Sequence, residues 1–449
     1  MTYGIMRLIK FFKNIKLLIF LSLLLNSANS TADYFAYITD QANDGSSKYL
    51  HVVNTRYNIL VESVVLIGTP RDLVLSHNAD YVFVSTVITE GLDTASNINI
   101  VSTQSNTTFR LIDIQGANVR GLALTSDDSV LFVTHSDGIT RVTQPTYSPD
   151  PVNLSLTYKG ISIAISDDDK YLFVIGTDGS NNDGISMVDV ESFTEVASHP
   201  LGDGAGVSSI VFDKLNKELF VLNRNNISDS NGGELINLKI NNYGSTTVAP
   251  VMEPYPETKA FPLDSFPIDI ALNADSSEIY VALSFIPGGS DDRLGTGNGY
   301  ITVLNAADIS GPIIHDINDL SFEGGGVDYQ STGAIHPIAI SFDDSGQLHL
   351  AKQMWNEYSG TFLSSIDDHT GIRSGVRTWV EVDSINMGKR SSTQMAGKFV
   401  GADCSYCPNG LEDDITPVNR PSAISPFMLV FTLIFLILLR LKRNEINNS

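Results

Sequence analysis

Short runs in which apolar and polar residues alternate recur along this chain, and one run is written repeatedly. LVLSHNADYVFV (73–84), LALTSDDSVLFV (122–133), IAISDDDKYLFV (163–174), IVFDKLNKELFV (210–221) and IALNADSSEIYV (270–281) share a single pattern. The opening pairs Leu73/Leu75, Leu122/Leu124, Ile163/Ile165, Ile210/Phe212, Ile270/Leu272 and Ile338/Ile340 have period two, which predicts a strand. Asp, Asn and Ser then supply a tight turn, because their side chains bond the local backbone. The runs YVFV, VLFV, YLFV, ELFV, EIYV and QLHL follow as second strands, so each copy reads as a hairpin. The last copy, PIAISFDDSGQLHL, carries one extra residue, and a bulge or longer turn is expected there.

Third runs follow at NINIVS (97–102), GITRV (138–142), GISMVDV (184–190), GELINLKI (233–240) and GYITVL (299–304), and a fourth at TEVASHPLG (194–202). A four-stranded antiparallel meander repeating every roughly forty to seventy residues is the signature of a β-propeller. Six copies have the opening strand. Tyr34–Gly68 lacks one, and MAGKFVGAD (395–403) is the donor expected to complete it. The expectation is an all-β, seven-bladed β-propeller of four-stranded antiparallel blades. Closure by both termini removes free sheet edges.

YFAYITD and YLHVVNTRYNILVESVVLIGTPRDLVLSHNADYVFVST contain a strand, a V-N-T turn and a G-x-P lead into the next unit. This resembles the repeat of the YVTN-type seven-bladed propellers, over roughly residues 34–400. The resemblance implies the propeller fold. That superfamily holds surface-layer and envelope proteins, and its fold neighbours include lactonase-type hydrolases. Fold does not carry activity across.

The two ends change the picture. Residues 1–30 run from a basic stretch through the apolar Leu17–Leu25 to the small residues Ala28-Asn29-Ser30, the order of a secretory signal peptide. Residues 424–441 form a second apolar run edged by Arg440, Lys442 and Arg443, a transmembrane segment with residues 442–449 as its basic cytoplasmic tail. Its layout resembles the sorting signals of bacterial envelope proteins. The propeller (31–403) would then stand outside the cytoplasm on an acidic tether, 404–423, that holds Cys404 and Cys407. For these cysteines a local disulfide, idle thiols, redox or metal chemistry and a lipidation role all stay open. Net charge is −23, which disfavours nucleic acid.

Candidate chemistry falls in two places. The connections between second and third strands, at 40–48, 86–97, 176–184, 223–233 and 284–299, are rich in Asp, Asn, Ser and Gly. Asp178, Asn182 and Asp183, or Asp291 and Asp292, offer hard oxygens to calcium, the candidate cofactor; solvated turns are the alternative. Arg71, Arg120 and His336 precede opening strands and should approach the channel mouth, where a cationic cluster binds a carboxylate or phosphate or forms ion pairs. No GxSxG elbow, HExxH or phosphate loop is present. The expected role is a non-catalytic protein- or glycan-binding module of the cell envelope. The alternatives are a lactonase-like hydrolase with its site at the channel mouth and a structural surface-layer component.

Overall fold

The computed structural model divides into two units, Met1–Ser405 and Tyr406–Ser449. It describes residues 34–403 except 42–47, 55–58, 91–92, 115–117, 145–147, 150–152, 203–205, 225–232, 246, 255–257, 263–264, 286–299, 318–333, 343–347, 356–359, 371–376 and 390–401. The expected signal peptide, tether, transmembrane segment and tail lie outside the described residues.

The described strands form seven antiparallel sheets in chain order. Sheet 1 pairs Tyr34–Gln41, Lys48–Asn54 and Ile59–Val65. Sheet 2 runs Thr69–Leu75, Tyr81–Glu90, Asp93–Ser102 and Thr107–Ile114, and sheet 3 runs Leu122–Leu124, Val130–His135, Gly138–Thr143 and Ser148–Pro149. Sheet 4 is Lys159–Ile165, Tyr171–Thr177, Asp183–Asp189 and Thr194–Gly202; sheet 5 is Val207–Asp213, Glu218–Asn223, Glu234–Asn241 and Val251–Pro254, with Lys259–Ala260 added. Sheet 6 begins at Ser265–Leu272 and Glu278–Phe285, and sheet 7 at Ala334–Phe342 and Leu348–Trp355. Consecutive four-stranded meanders packed face to face make this a β-propeller. Ala402–Asp403 pairs with Tyr34 and Phe35, so the end of the described chain supplies the outstanding strand of sheet 1.

Sheets 2 to 6 each bury one large ring at one place in the second strand: Phe83, Phe132, Phe173, Phe220 and Tyr280 are all fully buried. The ring packs on the next sheet. Phe83 shares a core with Leu122 and Val133, Phe132 with Ile163 and Val174, Phe173 with Ile210 and Val221, and Phe220 with Ile270 and Val281. Deleting such a ring costs about 3–5 kcal/mol.

The repeated polar cluster closes a turn of one geometry. Ala79, Asp128, Asp169 and Ser276 occupy its left-handed position, with φ of 59, 60, 56 and 54°, each amide bonding the carbonyl of the first turn residue; in sheet 5 the left-handed residue is Lys217 (57°), one place later, its amide bonded to the Asp213 carbonyl. Asp and Asn tolerate that region better than other non-glycine residues. The first turn residue also caps its own hairpin: Ser76, Thr125 and Ser166 each accept the amide that opens the second strand, from Tyr81, Val130 and Tyr171. The turn carboxylates then reach sideways. Asp128 accepts the His77 and Asn78 amides at 2.8 and 3.1 Å, and Asp169 accepts the Ser126 amide at 2.9 Å. Lys217 pairs with Asp167 at 2.6 Å, and Tyr243 donates to Asp168 at 2.6 Å. Neighbouring turns are therefore stapled in series.

Two expectations change. Residues 86–97 do not loop out: Thr86–Glu90 and Asp93–Asn97 continue the ladder to the Glu90–Asp93 pair, as their β-branched Thr, Val and Ile favour. In sheet 7 the first apolar position is Ile340 rather than Ile338. Ile340 pairs with Leu350 as Leu73 pairs with Val84, which shortens that hairpin instead of lengthening it.

His135 is fully buried. Its Nδ1 accepts the Asp137 amide at 3.2 Å, and its Nε2 donates at 2.9 Å to Thr140, whose own proton goes to Asn153. This pattern requires the neutral ring, and burial lowers the His135 pKa from 6.5. The contribution is fully present above pH 6.5 and is lost as pH falls toward the folded-state value. Unfolding midpoints between pH 7.5 and 5 should fall more steeply for the wild type than for His135→Gln. Asp128→Asn keeps a left-handed-tolerant residue and removes the staple's charge. It should lower stability by about 1–2 kcal/mol in urea at unchanged slope.

Candidate functional site

The first strands of sheets 2, 4, 5, 6 and 7 carry a bulge near their start. The extra residue lies between Pro70 and Asp72, Gly160 and Ser162, Val207 and Ser209, Pro267 and Asp269, and Pro337 and Ala339. Arg71 is therefore the bulged residue of sheet 2. Arg120 takes the same place in sheet 3, where its amide and the Gly121 carbonyl both bond Thr134. A bulge turns its residue off the ladder and re-aims the side chain. In sheet 7 this position belongs to Ile338. His336 lies two residues earlier, paired with Gln353 in the ladder, because Ile340 sets the register.

Two carboxylates beside the bulges fix this rim. Asp72 accepts the amides of Leu73 and, from the next sheet, Leu122, both at 2.8 Å. Asp269 accepts the Ser209 hydroxyl at 3.1 Å from the sheet before and the Ile340 amide at 3.0 Å from the sheet after. Ser85 donates to the Arg120 carbonyl at 2.7 Å. Arg71 and Arg120 thus ride on bonds that hold their sheets together.

The structure brings Arg71 and Arg120 into electrostatic reach and adds a third cation. Arg71 is half-buried; desolvation first, and the charge of Arg120 second, lower its pKa. Arg224 follows the second strand of sheet 5, its amide bonded to the Gly206 carbonyl at 3.0 Å. Its pKa is lowered first by desolvation, raised by Asp269 and lowered by Arg120. Arg224 is exposed to solvent. Among the described residues no carboxylate lies within 4.0 Å of the Arg120 or Arg224 guanidinium. First strands start, and second strands end, on one face of the propeller, so all three arginines lie at that face, Arg71 and Arg224 each within electrostatic reach of Arg120. Arg224 escaped the sequence reading because it occupies no opening strand. Its signal was a lone cation in the polar stretch 223–233.

The acidic loop residues take other duties. Asp178 accepts the Ser180 and Asn182 amides at 2.7 and 2.9 Å and the Asn182 side chain at 3.0 Å, and these bonds, Asn182 first, hold its pKa low. Asp183 is buried and accepts the Gly206 amide at 2.6 Å, another link to the next sheet. Among the described residues no three His, Cys, Asp or Glu side chains converge as a metal site. Asp291, Asp292, Cys404 and Cys407 lie outside the described residues, and among those described no helix is long and apolar enough to cross a membrane.

No protein-family model matches the sequence, and no curated protein does. Solved structures do resemble it. A Bacteroides fragilis protein, provisionally assigned as a 6-phosphogluconolactonase, aligns at a TM-score of 0.51 and 13% identity, over 83% of this chain and 99% of its own. Hydrazine synthase of Kuenenia stuttgartiensis aligns at 0.49 and 13%, over 77% and 94%. The β-propeller domain of Cps50 (Swd1) from Myceliophteria thermophila aligns at 0.45 and 10%, over 78% and 98%. At such identity the likeness is one of fold.

Arg120 has like-charged neighbours, so its removal should not cost stability. Arg120→Ala is expected to unfold within about 1 kcal/mol of wild type or above it, any gain shrinking in 0.5 M salt as the repulsion is screened. A loss of 2 kcal/mol or more in urea would make Arg120 a structural residue.

Proposed function

We propose that this protein is an exported, seven-bladed propeller, tethered by its C-terminal apolar segment, that acts as a non-catalytic binding module of the cell envelope. Its ligand is a protein or glycan presenting a carboxylate or phosphate to the mouth formed by Arg71, Arg120 and Arg224. One observation carries this reading: three arginines from three different sheets lie at one face in a chain of net charge −23. Like charges repel, and their gathering costs free energy that an anion returns on binding. The planar guanidinium, with its fork of donors, suits such oxygens better than an ammonium does. Asp72 and Asp269 lie at the same rim, where they bond backbone amides and a hydroxyl, and Asp269 offsets part of the Arg224 charge.

The signal-peptide order of residues 1–30 and the basic edge of 424–441 support export and anchoring. The lactonase-like alternative would use the same mouth, so one pair of variants addresses both readings. Titration calorimetry of the full chain with inorganic phosphate and with citrate should show saturable, salt-sensitive binding. Binding should weaken tenfold or more in Arg120→Ala/Arg224→Ala. Equal affinity in that variant would remove the mouth as the site. Hydrolysis of glucono-δ-lactone above background that vanishes in the same variant would move the protein to the hydrolase reading.

A further inference from the structure

The junctions between sheets 3, 4, 5 and 6 are built alike, except for one missing ring. In sheet 4 the Val190 amide bonds the Lys170 carbonyl, and three residues on Phe193 enters the junction with sheet 3. Its ring stands 6.1 Å from Phe132 and 4.8 Å under the Arg141 guanidinium. In sheet 5 the Ile240 amide bonds the Lys217 carbonyl, and three residues on Tyr243 fills the junction with sheet 4. Its ring meets Tyr171 at 5.3 Å and carries the Lys217 ammonium at 5.3 Å. In sheet 6 the Ala306 amide bonds the Ser277 carbonyl, and three residues on stands Ile309.

Where the ring is missing there is a cavity of about 230 Å³. Asn216 and Glu218 of sheet 5 and Asp308 and Ile309 of sheet 6 line it, together with Asn237. Asn237 is odd in its place. It pairs with Phe220, where sheets 2, 4 and 6 pair their rings with the apolar Ile100, Met187 and Val303 and sheet 3 pairs Phe132 with Arg141, whose guanidinium reaches over Phe193. It is 6% exposed, donates through Nδ2 to Glu218 at 3.1 Å, and leaves its buried Oδ1 without a partner. A buried acceptor left unmet costs about 1–3 kcal/mol. Asp308 takes the Ser310 hydroxyl and the Gly311 amide on Oδ1 alone.

We propose that this cavity is a binding site for a planar organic cation of the guanidinium type. The flat head replaces the ring that the other two junctions supply, against Ile309. Its N–H groups meet the carboxylates of Glu218 and Asp308 and the vacant acceptor of Asn237, and its charge meets two acids. The donor fork of a guanidinium matches carboxylates in plane, which a round ammonium does not. The site lies on the face of the first-to-second-strand turns, at the opposite end of the strands from the arginine mouth.

The test is titration of the full chain with methylguanidinium chloride, followed by calorimetry and by saturation-transfer NMR, with N-methylurea as the neutral flat control. Methylguanidinium should bind saturably and methylurea at least tenfold more weakly. Glu218→Gln/Asp308→Asn should weaken methylguanidinium tenfold or more. Ile309→Tyr, which restores a ring, should abolish binding. Equal binding of the two probes overturns the proposal. So does unchanged affinity in Ile309→Tyr, which carries the test even where the double variant fails to fold.

Discussion

A carboxylate that accepts a backbone amide from the neighbouring sheet is the bond on which this architecture rests. A four-stranded sheet cannot bury both faces by itself, and ring-on-strand packing such as Phe173 against Ile210 and Val221 is largely non-directional. Direction comes from the carboxylates. Asp72 and Asp269 work at the start of the first strands and Asp128 and Asp169 at their ends; sheets 2 and 3 are pinned near both ends of their innermost strands, sheets 3 and 4 and sheets 6 and 7 near one. An aliphatic core sets that the sheets meet; the acids set at what height and register.

The same bonds determine what the mouth can be. Asp269 offsets part of the Arg224 charge, while Arg120 adds to the repulsion felt by both Arg71 and Arg224. The rim thus keeps positive character inside an acidic molecule. At the other end of the strands a different substitution, Ile309 where Phe193 and Tyr243 stand elsewhere, opens space beside two carboxylates. Repetition makes both departures visible, since each is a local break in a rule that neighbouring sheets obey.

Strand content, hairpin positions and the closing role of the stretch before 403 were legible because period-two patterning survives any tertiary context. Thr194–Gly202 appears where TEVASHPLG placed it. The pairing of Arg71 with Arg120 was legible too, since both sit two residues before an apolar pair. Arg224 was not, because a residue after a second strand reaches the mouth only through topology. The register at His336 failed for another reason: HPIAISF alternates through Ile338, Ile340 and Phe342, so pattern alone admits two settings. The Asp269–Ile340 bond chooses between them. The aspartates of SDDD read as turn formers, and nothing in a linear pattern says that a turn also grips its neighbour.

Sheet 1 holds one further consequence, for synthesis. Its fourth strand includes Ala402–Asp403, which among the described residues pairs with Tyr34 and Phe35. A ribosome delivers Tyr34 first and Asp403 about 370 residues later. At roughly 5–20 residues per second that interval is tens of seconds. Throughout it the nascent protein is an open arc whose leading strand has a bare hydrogen-bonding edge, the kind of edge that recruits other chains. The seam that finishes the fold is therefore the last contact to form, and it is the place where a handling chaperone or an unwanted neighbour would compete with the chain's own end.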